Sequence, residues 1–196
     1  MTTTNERNAD YPIDPIFLER WSPRAFTGEA ISEKDLFTML EAARWAASSG
    51  NVQPWRFVYA HRNTAHWEKF VGLLAPGNQA WAKDASALVV LVSNSVVKRP
   101  GSDAEVPSAT HSYDTGTASG YFALQASLMG WHAHGMAGFD RERAFVELNV
   151  PKGYTVEFAY AVGRLGDPAS LPEALQAREH PSTRLPLKEL AFEGSF

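Results

Sequence analysis

Five consecutive aliphatic residues, Leu88-Val89-Val90-Leu91-Val92, lie near the middle of the 196-residue chain, within Ala87 to Ser93. A short continuous apolar run of this kind reads as a fully buried strand, and the rest of the fold has to cover it. The sequence supplies both helices and further strands. Ile31 to Ala47 is an amphipathic helix, with Ser32 as N-cap, Asp35 at the capping-box position, and Leu36, Leu40, Ala43 and Ala47 recurring on one face beside Met39. Ser48-Ser49-Gly50-Asn51 ends it, Pro54 prevents its resumption, and Arg56 to His61 is rich in strand formers.

Thr64 to Leu74 reads as a shorter helix broken by Ala75-Pro76-Gly77-Asn78. Ser95 to Ser112 is polar, contains Pro100, Gly101 and Pro107, and reads as a mobile loop. Tyr113 to Met129 is a second long helix. On it Gly116, Gly120, Ala123 and Ser127 share a small-residue face, which suits either packing within one subunit or a seam between two. Trp131 to Met136 and Thr155 to Val162 are further strands. Asp140 is a good N-cap for a helix through Leu148, and Pro172 starts a short helix. Helices and strands without regular βαβ alternation predict an α+β class in one domain, 1–196. Residues 1–12 read as a flexible tail and 180–196 as an extended C-terminal arm.

Composition narrows the function classes. Hydrophobic residues are 44% and charged residues 20%, with a net charge of -4. That is an ordinary folded composition without the basic surplus of a nucleic-acid binder. There is no cysteine, which excludes disulfides, thiolate metal sites and a cysteine nucleophile. No apolar run is long enough for a membrane span and no signal-peptide core follows Met1, so a cytoplasmic protein is expected. His132 and His134 share one strand face but have no third ligand at a useful spacing, so no metal site is expected. There is no Gly-x-Ser-x-Gly elbow, and no Gly-x-Gly-x-x-Gly follows a strand.

Five segments concentrate groups able to hold a polar ligand. Arg20-Trp21-Ser22-Pro23-Arg24-Ala25-Phe26 offers two guanidinium forks and a hydroxyl to an anion. Ser48 to Trp55 gathers polar residues between a helix and a strand around Gly50. Gly77-Asn78-Gln79-Ala80-Trp81 places amides beside an indole, Gly135-Met136-Ala137-Gly138-Phe139-Asp140 exposes main chain between glycines, and Arg184-Leu185-Pro186-Leu187 adds an arginine to the arm. Each also has an ordinary reading as a turn or a surface charge.

In order and spacing, the five segments resemble the FMN-dependent nitroreductase family. The family's Arg-x-Ser-x-Arg/Lys-x-Phe pattern appears at Arg20 to Phe26, and its Pro-Ser-x-x-Asn-x-Gln-Pro-Trp pattern at Ala47 to Trp55. The Gly77 to Trp81 stretch, the helix opening Asp114-Thr115-Gly116, Gly138-Phe139-Asp140 and Arg184-Leu185-Pro186 follow in order. The resemblance spans about residues 15 to 190. It implies a central, mainly antiparallel sheet flanked by helices, and an intertwined homodimer with FMN at the interface. The C-terminal arm would reach the partner subunit.

Carried over by position, the resemblance makes Arg20, Ser22 and Arg184 the grip on the FMN phosphate and ribityl chain and counts Trp21 among the cofactor-binding residues. Arg24 stands beside the flavin N1/O2 edge, and Asn78 reads the pyrimidine edge. Met136, Ala137 and Gly138 supply main chain along the isoalloxazine, while Ala47, Ser48, Ser49 and Asn51 come from the second subunit. The implied activity is transfer of hydride from NAD(P)H through flavin N5 to a nitroaromatic, quinone or related conjugated acceptor, by a ping-pong sequence with no catalytic side chain. An FMN carrier or sensor without turnover is an alternative if Trp81 or the 95–112 loop blocks the flavin face. A same-fold enzyme of dehalogenation, dehydrogenation or flavin breakdown is another. The chain departs from the family at Ala47 (often proline), Trp81 (a lysine in some members), Ala137 (an acidic residue in some) and Ser182 (a second phosphate lysine).

Overall fold

The chain is described by a computed structural model that covers residues 6–98, 101 and 103–196. The aliphatic run lies in strand β2 (Ala87–Asn94), which is buried up to Ser93. It pairs with β1 (Trp55–His61) on one side and β6 (Tyr154–Gly163) on the other. β5 (His132–Met136) pairs with β6 and completes the order β1-β2-β6-β5, every pairing antiparallel.

Alternate residues of a strand point to opposite faces, so the run feeds two cores. Leu88, Val90 and Val92 join Trp67, Phe70 and Trp81 on one face. Ala87, Val89 and Leu91 join Leu36, Met39 and Phe122 on the other. The first face is covered by the short helices α3 (Trp67–Leu73), α4 (Pro76–Ala82) and α6 (Arg141–Glu147). The second is covered by α2 (Glu33–Arg44) and α5 (His111–Leu128), which pack on each other. Two four-residue helices, α1 (Ile16–Glu19) and α7 (Glu173–Gln176), stand outside these layers.

The expected caps are present. The Ser32 hydroxyl accepts from the Asp35 amide at 3.0 Å and the Asp140 carboxylate from the Arg143 amide at 2.9 Å. Such caps satisfy amides that the first helical turn leaves unpaired.

Three expectations need correction. The break at Ala75 to Asn78 is itself a helix start: Pro76 takes the first position of α4, where its missing N–H removes nothing. The 95–112 segment is partly ordered, because β3 (Val96–Lys98) pairs with β4 (Glu105–Pro107) and α5 begins at His111. Arg99, Pro100 and Ser102 of that segment lie outside the described residues. The N-terminal segment is tied down from Arg7, whose guanidinium donates to the carbonyls of Leu18 at 3.0 Å and Arg20 at 2.8 Å. Met1 to Asn5 of the expected tail lie outside the described residues.

The small-residue face of α5 divides. Ala123 is buried, whereas Gly116 and Gly120 are exposed, and a Cβ at either would meet nothing within 4 Å. The glycine end of the stripe therefore points away from the packed interior. Tyr113, Tyr121 and Leu128 are exposed on the same helix.

Candidate functional site

The Arg20–Phe26 segment follows α1 and runs across the ends of β5 and β6. Phe26 forms a bridge with Leu165, and the Gly166 amide donates to the Ala25 carbonyl at 2.8 Å. A Cβ on Gly166 would lie 2.7 Å from the Phe26 backbone, so only glycine permits this approach. His134 on β5 fixes the segment from beneath through Nδ1, 2.8 Å from the Pro23 carbonyl. A carbonyl can only accept, so Nδ1 carries the proton and Nε2 keeps its lone pair.

This segment forms one wall of a cavity of about 350 Å³. Five arginines line it: Arg7, Arg20, Arg24, Arg178 and Arg184. Ser22 and Ser182 add hydroxyls, and Trp21, His134 and His180 complete the lining. Trp21 is buried, with its ring edge-on to His132 at 6.2 Å. A neighbouring cavity of about 410 Å³ shares Arg20 and Ser22 and is floored by the small residues Gly120, Ala123, Ala133 and Gly135.

Backbone carbonyls hold Arg7 and Arg184 in place. Besides Leu18 and Arg20, Arg7 donates through Nε to the Ser182 carbonyl at 2.8 Å, clasping the N-terminal segment to the C-terminal arm. Arg184 folds back on its own arm, donating to Ser182 Oγ at 3.0 Å and the Thr183 carbonyl at 2.9 Å. Arg20 Nη1 lies 3.4 Å from Ser22 Oγ. Burial, and then the neighbouring Arg184 charge, pull the Arg20 guanidinium below its ordinary pKa. Arg7 is lowered by burial, then by Arg184 and Arg20. These groups stay protonated; burial is the largest cause of the lowering, and the like-charge part is crowding that a bound anion would relieve.

Arg24 differs from the others. Its Nη1 lies 3.6 Å from Oε2 of Glu179, whose side chain is wholly buried. The other oxygen of Glu179 accepts from the Arg24 and Ala25 amides at 2.6 and 2.8 Å. His134 lies between this group and Trp81, with ring centroids 4.5 Å apart. Burial, the largest cause, pushes the His134 pKa down to about 4, so the ring is neutral near pH 7. Trp81 is 2% exposed and packs against Phe26, so it belongs to the core and does not cover the cavity.

The remaining expected residues form two groups. Asn78 and Gly138 touch: Asn78 Nδ2 donates to the Gly138 carbonyl at 2.9 Å, and the Ala75 amide donates to the same oxygen at 2.9 Å. Met136 is buried, while Ala137 and Gly138 are exposed. Ala47, Ser48, Ser49 and Asn51 do not line the arginine cavity. They lie beside the start of α5, where the Ser49 amide and the Thr110 hydroxyl both donate to the buried Asp114 carboxylate, at 3.2 and 3.0 Å. Asn51 and Gln53 have positive φ, 54° and 47°, so this turn has a fixed and uncommon shape.

Sequence reasoning misses the cavity residues Arg7, Arg178 and His180, and Glu179 buried behind them. Arg7 sits in a polar stretch with no pattern, and Glu179 in a charged run that reads as surface. His134 is noticed only as a metal ligand, a role its Pro23 contact and Trp81 stacking do not suit.

The chain is similar to known proteins along its length. The family model described as the Nitroreductase family matches residues 18–76. A crystal structure described as an oxidoreductase containing FMN is 49% identical, covers 100% of this chain and 98% of its own, and superposes with a TM-score of 0.95. An FMN-dependent nitroreductase of Clostridium difficile R20291 shares the fold at 19% identity, with a TM-score of 0.66 over 90% of this chain and 96% of that one. A 15.4 kDa uncharacterized protein of Mycolicibacterium smegmatis is 37% identical over 124 residues, 63% of this chain and 79% of that one. The antiparallel sheet between two helical layers and the near-complete match to a 49% identical oxidoreductase agree with the family model, and the chain belongs to the nitroreductase family.

Proposed function

We propose that this protein is an FMN-dependent oxidoreductase working as a homodimer. When bound, FMN would supply the chemistry, accepting hydride from NADH or NADPH and passing it to a nitroaromatic, quinone or related conjugated acceptor. The observation that carries the reading is the arginine cavity. Arg7, Arg20 and Arg184 crowd one another there, and a phosphate with two negative charges matches their positive charge. The two adjoining cavities also fall in the size range of cofactor pockets.

The protein's residues bind and orient. Arg20, Arg184 and Ser22 would hold the phosphate and ribityl chain, with Arg7 tying their two segments together. Arg24 would stand beside the N1/O2 edge. Asn78 uses Nδ2 on Gly138, which leaves its Oδ1 for the pyrimidine edge. Main chain at Met136, Ala137 and Gly138 would lie along the ring. The segment Ala47, Ser48, Ser49 and Asn51 is anchored by the Ser49 amide on Asp114 yet does not line the cavity of its own chain. That supports its delivery from a second subunit.

The dimer reading has two further supports. Gly116 and Gly120 have open space outside them, and the arm leaves Leu185, Leu190, Phe192 and Phe196 exposed. The carrier reading loses one of its arguments, because Trp81 is buried and leaves the cavity mouth uncovered. A titration of cofactor-free protein with FMN and with riboflavin tests the proposal. It predicts one FMN per chain, held more tightly than riboflavin.

A further inference from the structure

Glu179 stands between two cavity residues, Arg178 and His180, but turns inward and is 4% exposed. Its two carboxylate oxygens have different surroundings. Oε1 accepts two backbone amides, from Arg24 and Ala25. Oε2 is buried and accepts no hydrogen bond, and the Arg24 guanidinium 3.6 Å away supplies its counter-charge. A buried carboxylate satisfied on one oxygen only is uncommon and calls for an explanation.

We propose that Glu179 is the built-in counter-charge of Arg24, a positioning residue that fixes the Arg24 segment and moderates the pull of its guanidinium on negative charge in the cavity. The proposal rests on the FMN reading for the source of that charge. Uptake of one hydride brings two electrons and one proton to the ring, so it adds one negative charge. An isolated Arg24 would favour this reduced form strongly in a partly buried site. Paired with Glu179, it presents a dipole, whose field falls off faster with distance. The pair therefore holds the potential of the bound cofactor below what a lone cation at that place would set. A purely structural Glu179 would make the same amide contacts without affecting that potential.

Glu179→Gln separates the two roles. The glutamine carbonyl still accepts from the Arg24 and Ala25 amides, so the segment keeps its support while the negative charge is removed. The expected result is that reduced FMN gains about tenfold in affinity relative to oxidised FMN, read as a rise in midpoint potential of about 30 mV for the two-electron couple. An unchanged or lower potential, with FMN bound, would overturn the proposal. A second measurement needs no cofactor. Arg24→Met strands the buried carboxylate and should lower the melting temperature, and adding Glu179→Gln should recover part of the loss. Strictly additive losses would overturn the pairing. If wild-type protein takes up no FMN, the functional reading fails by that observation alone, and the stability cycle still decides whether Glu179 and Arg24 act as a pair.

Discussion

Replacing Arg20 or Arg184 by alanine should weaken FMN binding by different amounts, and burial sets the difference. A hydrogen bond to a charged partner is worth about 1.5–3 kcal/mol. Arg20 is half-buried, where solvent screens its charge less, and belongs in the upper half of that range. Arg184 is exposed and belongs at the bottom, because screening discounts surface ion contacts. At about 1.4 kcal/mol per tenfold, Arg20→Ala should raise the Kd for FMN roughly 30- to 100-fold and Arg184→Ala about tenfold or less. Riboflavin has no phosphate and should lose little with either variant. Relief of the crowding between Arg20 and Arg184 should also spare the stability of the cofactor-free protein, apart from lost packing. Fluorescence titrations of both ligands, with melting curves of the same samples, make the comparison. Equal losses for FMN and riboflavin, or no loss for FMN, would refute the phosphate assignment.

Arg24→Met should lower the midpoint potential of bound FMN by some tens of millivolts, at about 30 mV per 1.4 kcal/mol, and spectroelectrochemical titration reads this directly. His134 has a folded pKa of about 4 against an ordinary 6.5, so the unfolded chain binds its proton first on acidification. Its contribution to stability is therefore intact above about pH 6.5, lost as pH falls toward about 4, and flat below that. Urea unfolding should show His134→Gln flattening this slope by about 2 kcal/mol between pH 7 and 5. Gly116→Leu fills open space outside α5, so it should leave the subunit fold intact and shift the dimer toward monomer in light scattering.

The parts of the fold readable from sequence are those whose signals are local. β2 announces itself by an unbroken aliphatic run, and its burial on two faces follows from the alternation of Leu88 and Val89. α2 and α6 carry their own caps at Ser32 and Asp140. α4 was hidden because Pro76-Gly77-Asn78 looks like a break, while Pro at a first helical position gives the opposite instruction. The β3–β4 pairing was hidden in a polar stretch with no apolar alternation. The same division holds for the site. Arg20, Ser22 and Arg24 fall in one short pattern, but Glu179, the partner of Arg24, and Ser182, the partner of Arg7, come from the far end of the chain. Glu179 is 155 residues from Arg24, and Ser182 is 175 residues from Arg7. Neither pairing has a local mark.

If the arginine cavity belongs to a working flavin site, the protein must hold FMN in a form that a nicotinamide cofactor can reduce. The most direct test loads the purified protein with FMN, removes excess cofactor, and adds NADH or NADPH without oxygen while recording the flavin absorbance. The account predicts one retained FMN per chain and bleaching of its yellow absorbance by at least one of the two nicotinamide cofactors, with colour restored by a quinone or nitroaromatic acceptor. Protein that retains no FMN, or retains it without bleaching by either cofactor, would contradict it.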